Sequence, residues 1–187
     1  MAAPPQRIVV IGTTGSGKSV LSARLAHALG AAFVELDALH WGPDWSPADP
    51  ETFRARVLAA TAAERWVCDG NYSAVRPIVL ERADTVVWLD LPLRICLARV
   101  AARTVRRSRT QEDLWGSGNR ESWRKQVGRD SLIWWVLTTH RRRRRDYETR
   151  FADPAYRHLR VVRLRTVKVA DAWLGSARSA PDPDAGA

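Results

Sequence analysis

The chain has 187 residues, 45% of them hydrophobic, which suits one domain with a packed core and excludes a wholly disordered chain. It carries 30 Lys and Arg against 20 Asp and Glu, a net charge of +10, so anionic partners are expected: phosphates, nucleotides or nucleic acid. The start "MAAPPQR" lacks the apolar core of a signal peptide, and the longest strongly apolar run, residues 132–137, is far too short to span a bilayer, so a cytoplasmic protein with no membrane partner is expected.

The chain opens with "RIVVIG", a short unbroken apolar run that reads as a strand buried on both faces. A helical pattern follows, with Leu21, Leu25 and Leu29 on one face and Gly30 as its stop. Four more apolar runs read as strands: "AAFVELD" to Asp37, "RWVCDG" to Asp69, "DTVVWLD" to Asp90 and "HLRVVRL" to Leu164. Helical stretches lie between them, around Phe53 and Val57, around Leu93 and Val100, over residues 121–151, and in "VADAWLG" near the end. This alternation predicts an α/β fold with a parallel sheet. One domain, residues 1–175, is expected, and the Pro-, Ala- and Asp-rich residues 176–187 read as a disordered tail. Cys68 and Cys96 lie within apolar runs and are expected to be buried, reduced thiols.

Between the first strand and the first helix stands "GTTGSGKS", a full match to the phosphate-binding loop pattern. Glycines let the backbone wrap an anion so that several N–H groups point at it, and the helix N-terminus adds partial positive charge. Gly12, Thr13, Thr14, Gly15, Ser16, Gly17, Lys18, Ser19 and the following Val20 are the expected nucleotide-binding residues. Lys18 is expected to reach the β- and γ-phosphates of ATP and the Ser19 hydroxyl to ligate Mg²⁺.

Ligands of parallel sheets bind beyond the carboxyl ends of strands, where Asp37, Asp69 and Asp90 stand. Asp69, before Gly70, is the candidate to hold a Mg²⁺-bound water or to receive a proton. Asp37 is the candidate for the acceptor substrate, and Asp90 reads as a turn residue or helix cap. "ALHWGPDWSPADPETF" predicts a lobe, about residues 38–64. Its His40, Trp41 and Trp45 either stack on a ring-bearing substrate or pack the lobe on the body.

From Arg99 to Arg150 there are 15 Lys and Arg against 6 Asp and Glu, so nearly all the excess charge sits in one segment. Arg99, Arg103, Arg106 and Arg107 recur at three and four and share one helix face. Arg141 to Arg145 are consecutive, and at about 100° per residue they circle a helix and cannot all meet one ligand.

In this order the motifs resemble the adenylate-kinase-like P-loop kinases: the loop at Gly12 to Ser19, Leu36-Asp37, Asp69-Gly70, "LDLP" at Leu89 to Pro92, then Arg99 and Arg103. "LDALHW", "WVCDGNYSAVR", "RADTVVWLDLP" and "GNRESWR" look most like the bacterial group named DNA topology modulation proteins. The resemblance implies a three-layer α/β/α fold, a five-stranded parallel sheet in the order 2-3-1-4-5 and an α-helical lid, about residues 104–150. It implies ATP and Mg²⁺ as ligands. It also implies arginines that stabilise the transferred phosphoryl group: Arg99, Arg103 and, from the run of five, Arg141 and Arg144, acting with Lys18 and Asp69. The related kinases carry Pro and Arg directly after "DG" to hold a nucleoside monophosphate. This chain has Asn71, Tyr72 and Ser73, and its first arginine there is Arg76, which joins Asp37 and Trp41 as a candidate for binding the acceptor.

Two functions follow, beside a P-loop fold that binds nucleotide without chemistry, which Asp37 and Asp69 at strand ends argue against. The first is an ATP-dependent kinase acting on a small molecule or nucleotide. The second is a nucleic-acid-associated P-loop ATPase or regulator. The sequence has no helix-turn-helix, zinc-finger or RNP pattern, which favours the first.

Overall fold

The computed structural model describes residues 5–120, 128 and 131–178. Five strands, β1 (Arg7–Gly12), β2 (Ala32–Glu35), β3 (Trp66–Asp69), β4 (Thr85–Leu89) and β5 (Arg160–Leu164), form one sheet. All are parallel, in the order β2-β3-β1-β4-β5 that the resemblance implied. The helices are α1 (Lys18–Leu29), α2 (Leu36–His40), α3 (Pro50–Ala60), α4 (Arg76–Arg82), α5 (Leu93–Thr110), α6 (Leu132–Ala152) and α7 (Val167–Arg178).

Side chains alternate along each strand and so divide the core in two. Val9, Ile11, Trp66, Cys68, Val86 and Trp88 meet Phe53 and Val57 of α3, Val79 and Leu80 of α4, and Tyr147 of α6. Ile8, Val10, Val67, Val87 and Leu89 meet Leu21 and Leu25 of α1 and Ala170 and Leu174 of α7. Helices cover both faces, which is why the strands read as unbroken apolar runs. A smaller cluster of Leu91, Cys96, Val100 and Val136 packs α5 on α6. Cys68 and Cys96 are free and buried, and burial pushes both thiols above their ordinary pKa.

Several boundaries differ from the sequence reading. The chain leaves the sheet after Glu35, and Asp37 lies in the short helix α2 rather than at the end of a strand. Leu36 is buried in the core at that point, and an apolar run alone does not separate a strand end from a helical turn. The seven-residue α4, with a proline in its first turn, is too short to show a helical period and has no counterpart in the sequence reading. The helix expected from residue 121 begins at Leu132; residues 121–127, 129 and 130, with part of "GNRESWR", lie outside the described residues. The Ser131 side chain caps α6 by accepting the Trp134 N–H at 3.1 Å. At the other end, α7 continues to Arg178, past residue 175; residues 179–187 of the expected tail lie outside the described residues. Among the described residues no helix is long and apolar enough to cross a membrane.

Candidate active site

The turn between β1 and α1 is closed by a hydrogen bond from Ser16 N to the Thr13 carbonyl at 2.9 Å. Gly15 has φ +83°, and a Cβ there would run into the Cys96 carbonyl oxygen. Gly17, at φ +91°, precedes α1, and a Cβ there would stand 2.9 Å from Arg99 Nη1. Glycine alone suits both positions. No side chain caps α1, so its first N–H groups remain for an anion. From outside, Arg99 Nη1 donates to the Ser16 carbonyl at 2.9 Å and fastens α5 to the loop.

Thr14, Gly15, Ser16, Gly17, Lys18, Ser19 and Val20 line an open cleft of about 1230 Å³. That volume holds a nucleotide and a second small molecule together. Gly12 and Thr13 stand behind the cleft: Gly12 packs on Leu89 and Ser16, and Thr13 Oγ1 lies 3.1 Å from His140 Nδ1 on α6.

Asp69 ends β3 and is 2% exposed. The Ser19 hydroxyl and Lys18 both lie close enough to favour its ionised form. Burial outweighs both and raises the Asp69 carboxyl above its ordinary pKa. Its Oδ1 is buried without a hydrogen-bond partner among the described residues. A hydroxyl beside an unpartnered carboxylate oxygen is the hard-oxygen donor set that Mg²⁺ takes, so the residues present fit the ion.

Glu35 lines the same cleft, and the sequence reading missed it. It ends β2, paired in register with Asp69. Burial raises its carboxyl, the nearby Trp115 indole opposes that rise, and Asp69, Asp37 and Lys18 all act on it electrostatically. The available signal was the spacing in "VELD": a carboxylate on the strand's last residue, two before Asp37.

Asp37 faces the same cleft, and the Tyr72 hydroxyl donates to its Oδ1 at 2.5 Å. Burial and then Asp37 raise the Tyr72 pKa, and the nearby Trp41 side chain opposes that rise. His40 packs against Trp41, Phe53 and Tyr72 at 4.7 to 4.9 Å, and burial lowers its pKa. Trp41 and Trp45 both pack the lobe and line the cleft, meeting at 5.8 Å, and Trp115 extends the row at 6.0 Å from Trp45. Trp115 belongs to the segment after α5, which is tied to the lobe by Asn119: its Oδ1 accepts the Trp45 N–H and its Nδ2 donates to the Gly42 carbonyl, each at 2.8 Å. Arg76 lines the cleft, and its Nε donates to Asn71 Oδ1 at 2.7 Å.

Arg99, Arg103, Arg106 and Arg107 all line the cleft from α5, on one face. Of Arg141 to Arg145, Arg143 is the member that lines it. Arg144 instead lies 3.5 Å from Asp90 and 3.6 Å from Glu148, and Arg141 stands outside the lining. The 100° step from residue to residue separates these directions. Asp90 is no helix cap either: Arg163 donates to its Oδ2 at 2.9 and 2.7 Å, and α5 starts without a side-chain cap.

No protein-family model and no curated protein matches the sequence. Solved structures do match by shape. A gluconokinase from Sinorhizobium meliloti 1021 aligns over 94% of both chains with a TM-score of 0.51 at 20% identity. A shikimate kinase from Bacteroides thetaiotaomicron aligns over 92% of this chain and 96% of its own, with a TM-score of 0.53 at 14% identity. A shikimate kinase from Acinetobacter baumannii, solved with shikimate, covers 91% and 89%, with a TM-score of 0.50 at 18% identity. The likeness to the DNA topology modulation group rests on the sequence stretches alone. Strand order and these matches agree that the chain has the fold of the P-loop kinases.

Proposed function

We propose that the protein transfers the γ-phosphoryl group of ATP to a hydroxyl of a small, ring-bearing acceptor. One observation carries this reading: a single cleft joins the phosphate loop to the arginine face of α5 on one side, and to Asp37 with its tryptophans on the other. The loop backbone and Lys18 hold the phosphates. Ser19 and Asp69 would hold Mg²⁺, directly or through water, and the ion supplies charge neutralisation on the phosphate oxygens. Asp37, held by Tyr72, faces the acceptor hydroxyl. The acceptor oxygen bonds to the γ-phosphorus, the bond to the β–γ bridging oxygen breaks, ADP leaves, and the proton passes to Asp37. Arg99 and Arg103 stabilise the charge on the phosphoryl group in flight. Catalysis here is positioning and charge stabilisation.

The test is a screen of hydroxyl acceptors with labelled ATP, with Lys18→Ala as the blank. The variant should fold with an unchanged melting temperature and lose at least about a hundredfold in turnover, as losing a transition-state charge contact does. Turnover equal to the parent protein would remove the reading.

A further inference from the structure

The cleft has an aromatic wall at each end. Trp41, Trp45 and Trp115 stand beyond β2 and β3, on the acceptor side. Trp135, on α6, stands with Leu91, Leu132 and Val167 on the side of β4 and β5. The phosphate loop follows β1, the central strand, and lies between them. Nothing in the phosphotransfer steps uses the second wall.

Trp135 is 46% exposed, although a hydrophobic cluster of α5 and α6 lies beside it. The guanidinium of Arg143, eight residues along the helix, stands 5.5 Å over its ring. A cation over one face leaves the other face for a second flat group. The neighbouring Leu91, Leu132 and Val167 make the surroundings apolar. An indole face in an apolar wall suits a flat heteroaromatic ring. A triphosphate seated on the loop, with its γ-group towards Asp37, extends its base away from the acceptor side and towards this wall.

We propose that Trp135 is the stacking platform for the nucleobase, with Arg143 bracing the indole. The assignment rests on the phosphate-loop reading above. Stacking uses the face of the base and not its hydrogen-bonding edge, so ATP and GTP are held about equally well by this contact.

The experiment measures equilibrium binding of MgATP, MgGTP and magnesium tripolyphosphate to the full chain, as parent protein, Trp135→Ala and Trp135→Phe. In Trp135→Ala, ATP and GTP affinity should fall roughly 5- to 150-fold while tripolyphosphate affinity stays within about twofold. Trp135→Phe keeps an aromatic face and should hold ATP within a few-fold of the parent. Equal loss of ATP and tripolyphosphate would mean the indole only supports the fold, and undiminished ATP binding would place the base elsewhere; either result overturns the proposal. A parent protein that binds neither ATP nor tripolyphosphate would overturn the phosphate-loop reading itself, and this assignment with it.

Discussion

Thr13 turns its side chain away from the cleft and into contact with His140, linking the phosphate loop to α6. His140 is 8% exposed. Burial lowers its pKa first; Arg144 and Arg141 lower it further, and Asp90 opposes them. The folded protein therefore prefers a neutral imidazole, while the unfolded chain takes up a proton near the ordinary value of 6.5. Between the lowered value and 6.5 the unfolded state binds more protons, so stability falls as pH drops through that window and is fully present above it. His40, also lowered by burial, adds the same sign. We predict that His140→Asn, which keeps an acceptor towards Thr13, flattens the melting-temperature profile between pH 5 and 7 relative to the parent. Superimposable profiles would show that His140 does not titrate in the fold. At this scale the glycine turn between β1 and α1 was legible because its residues are contiguous. Glu35 was not, because its neighbour across the sheet, Asp69, lies 34 positions away and nothing local marks the pair.

At the scale of elements, Asp90 fastens three of them. It follows β4, accepts two hydrogen bonds from Arg163 of β5 and pairs with Arg144 of α6. Arg163 also stacks 4.1 Å over Trp88 of β4 and reaches Glu148 at 2.6 Å. The Asp90 side chain is 3% exposed, whereas Arg163 and Arg144 keep 23% and 46% in solvent. Asp90→Ala thus strands two partly hydrated cations rather than fully buried ones. The expected loss is about 1–3 kcal/mol, below the 3–5 kcal/mol for opening a fully buried pair. Urea unfolding should show a lower midpoint at an unchanged slope. A midpoint equal to the parent would mean that solvent takes over the whole contact. The strands themselves were legible, since burial on both faces produces apolar runs. The helices α2 and α4 were not, since five and seven residues give less than two turns of a 3.6-residue period.

At the scale of the whole molecule, the basic excess has a direction. Arg24, Arg76, Arg99, Arg103, Arg106, Arg107, Arg120 and Arg143 line the same cleft as the phosphate loop. Much of the +10 charge thus surrounds a concave site of nucleotide size. If that cleft is the main anion site, duplex DNA binding should be confined to low salt. It should weaken with a log–log slope of about −0.9 per phosphate contacted, and MgATP at constant ionic strength should displace the DNA. A filter-binding titration checks both. DNA retained at physiological salt and indifferent to MgATP would place a second basic surface outside the cleft and favour the nucleic-acid reading.

The sequence by itself determined the α/β class, the glycine turn after β1 and the apolar strands, because each is written in neighbouring residues: a contiguous motif, or burial on both faces of one segment. The strand order came from resemblance rather than from any local signal. Only the tertiary structure decided which arginine of the run from Arg141 to Arg145 meets the cleft, and it turned Arg143 inwards and Arg144 towards Asp90. It also decided that Asp90 is a fastening and that Glu35 joins Asp69, Asp37 and Lys18. These outcomes depend on helix rotation and on contacts across the sheet, which arise only when distant segments pack.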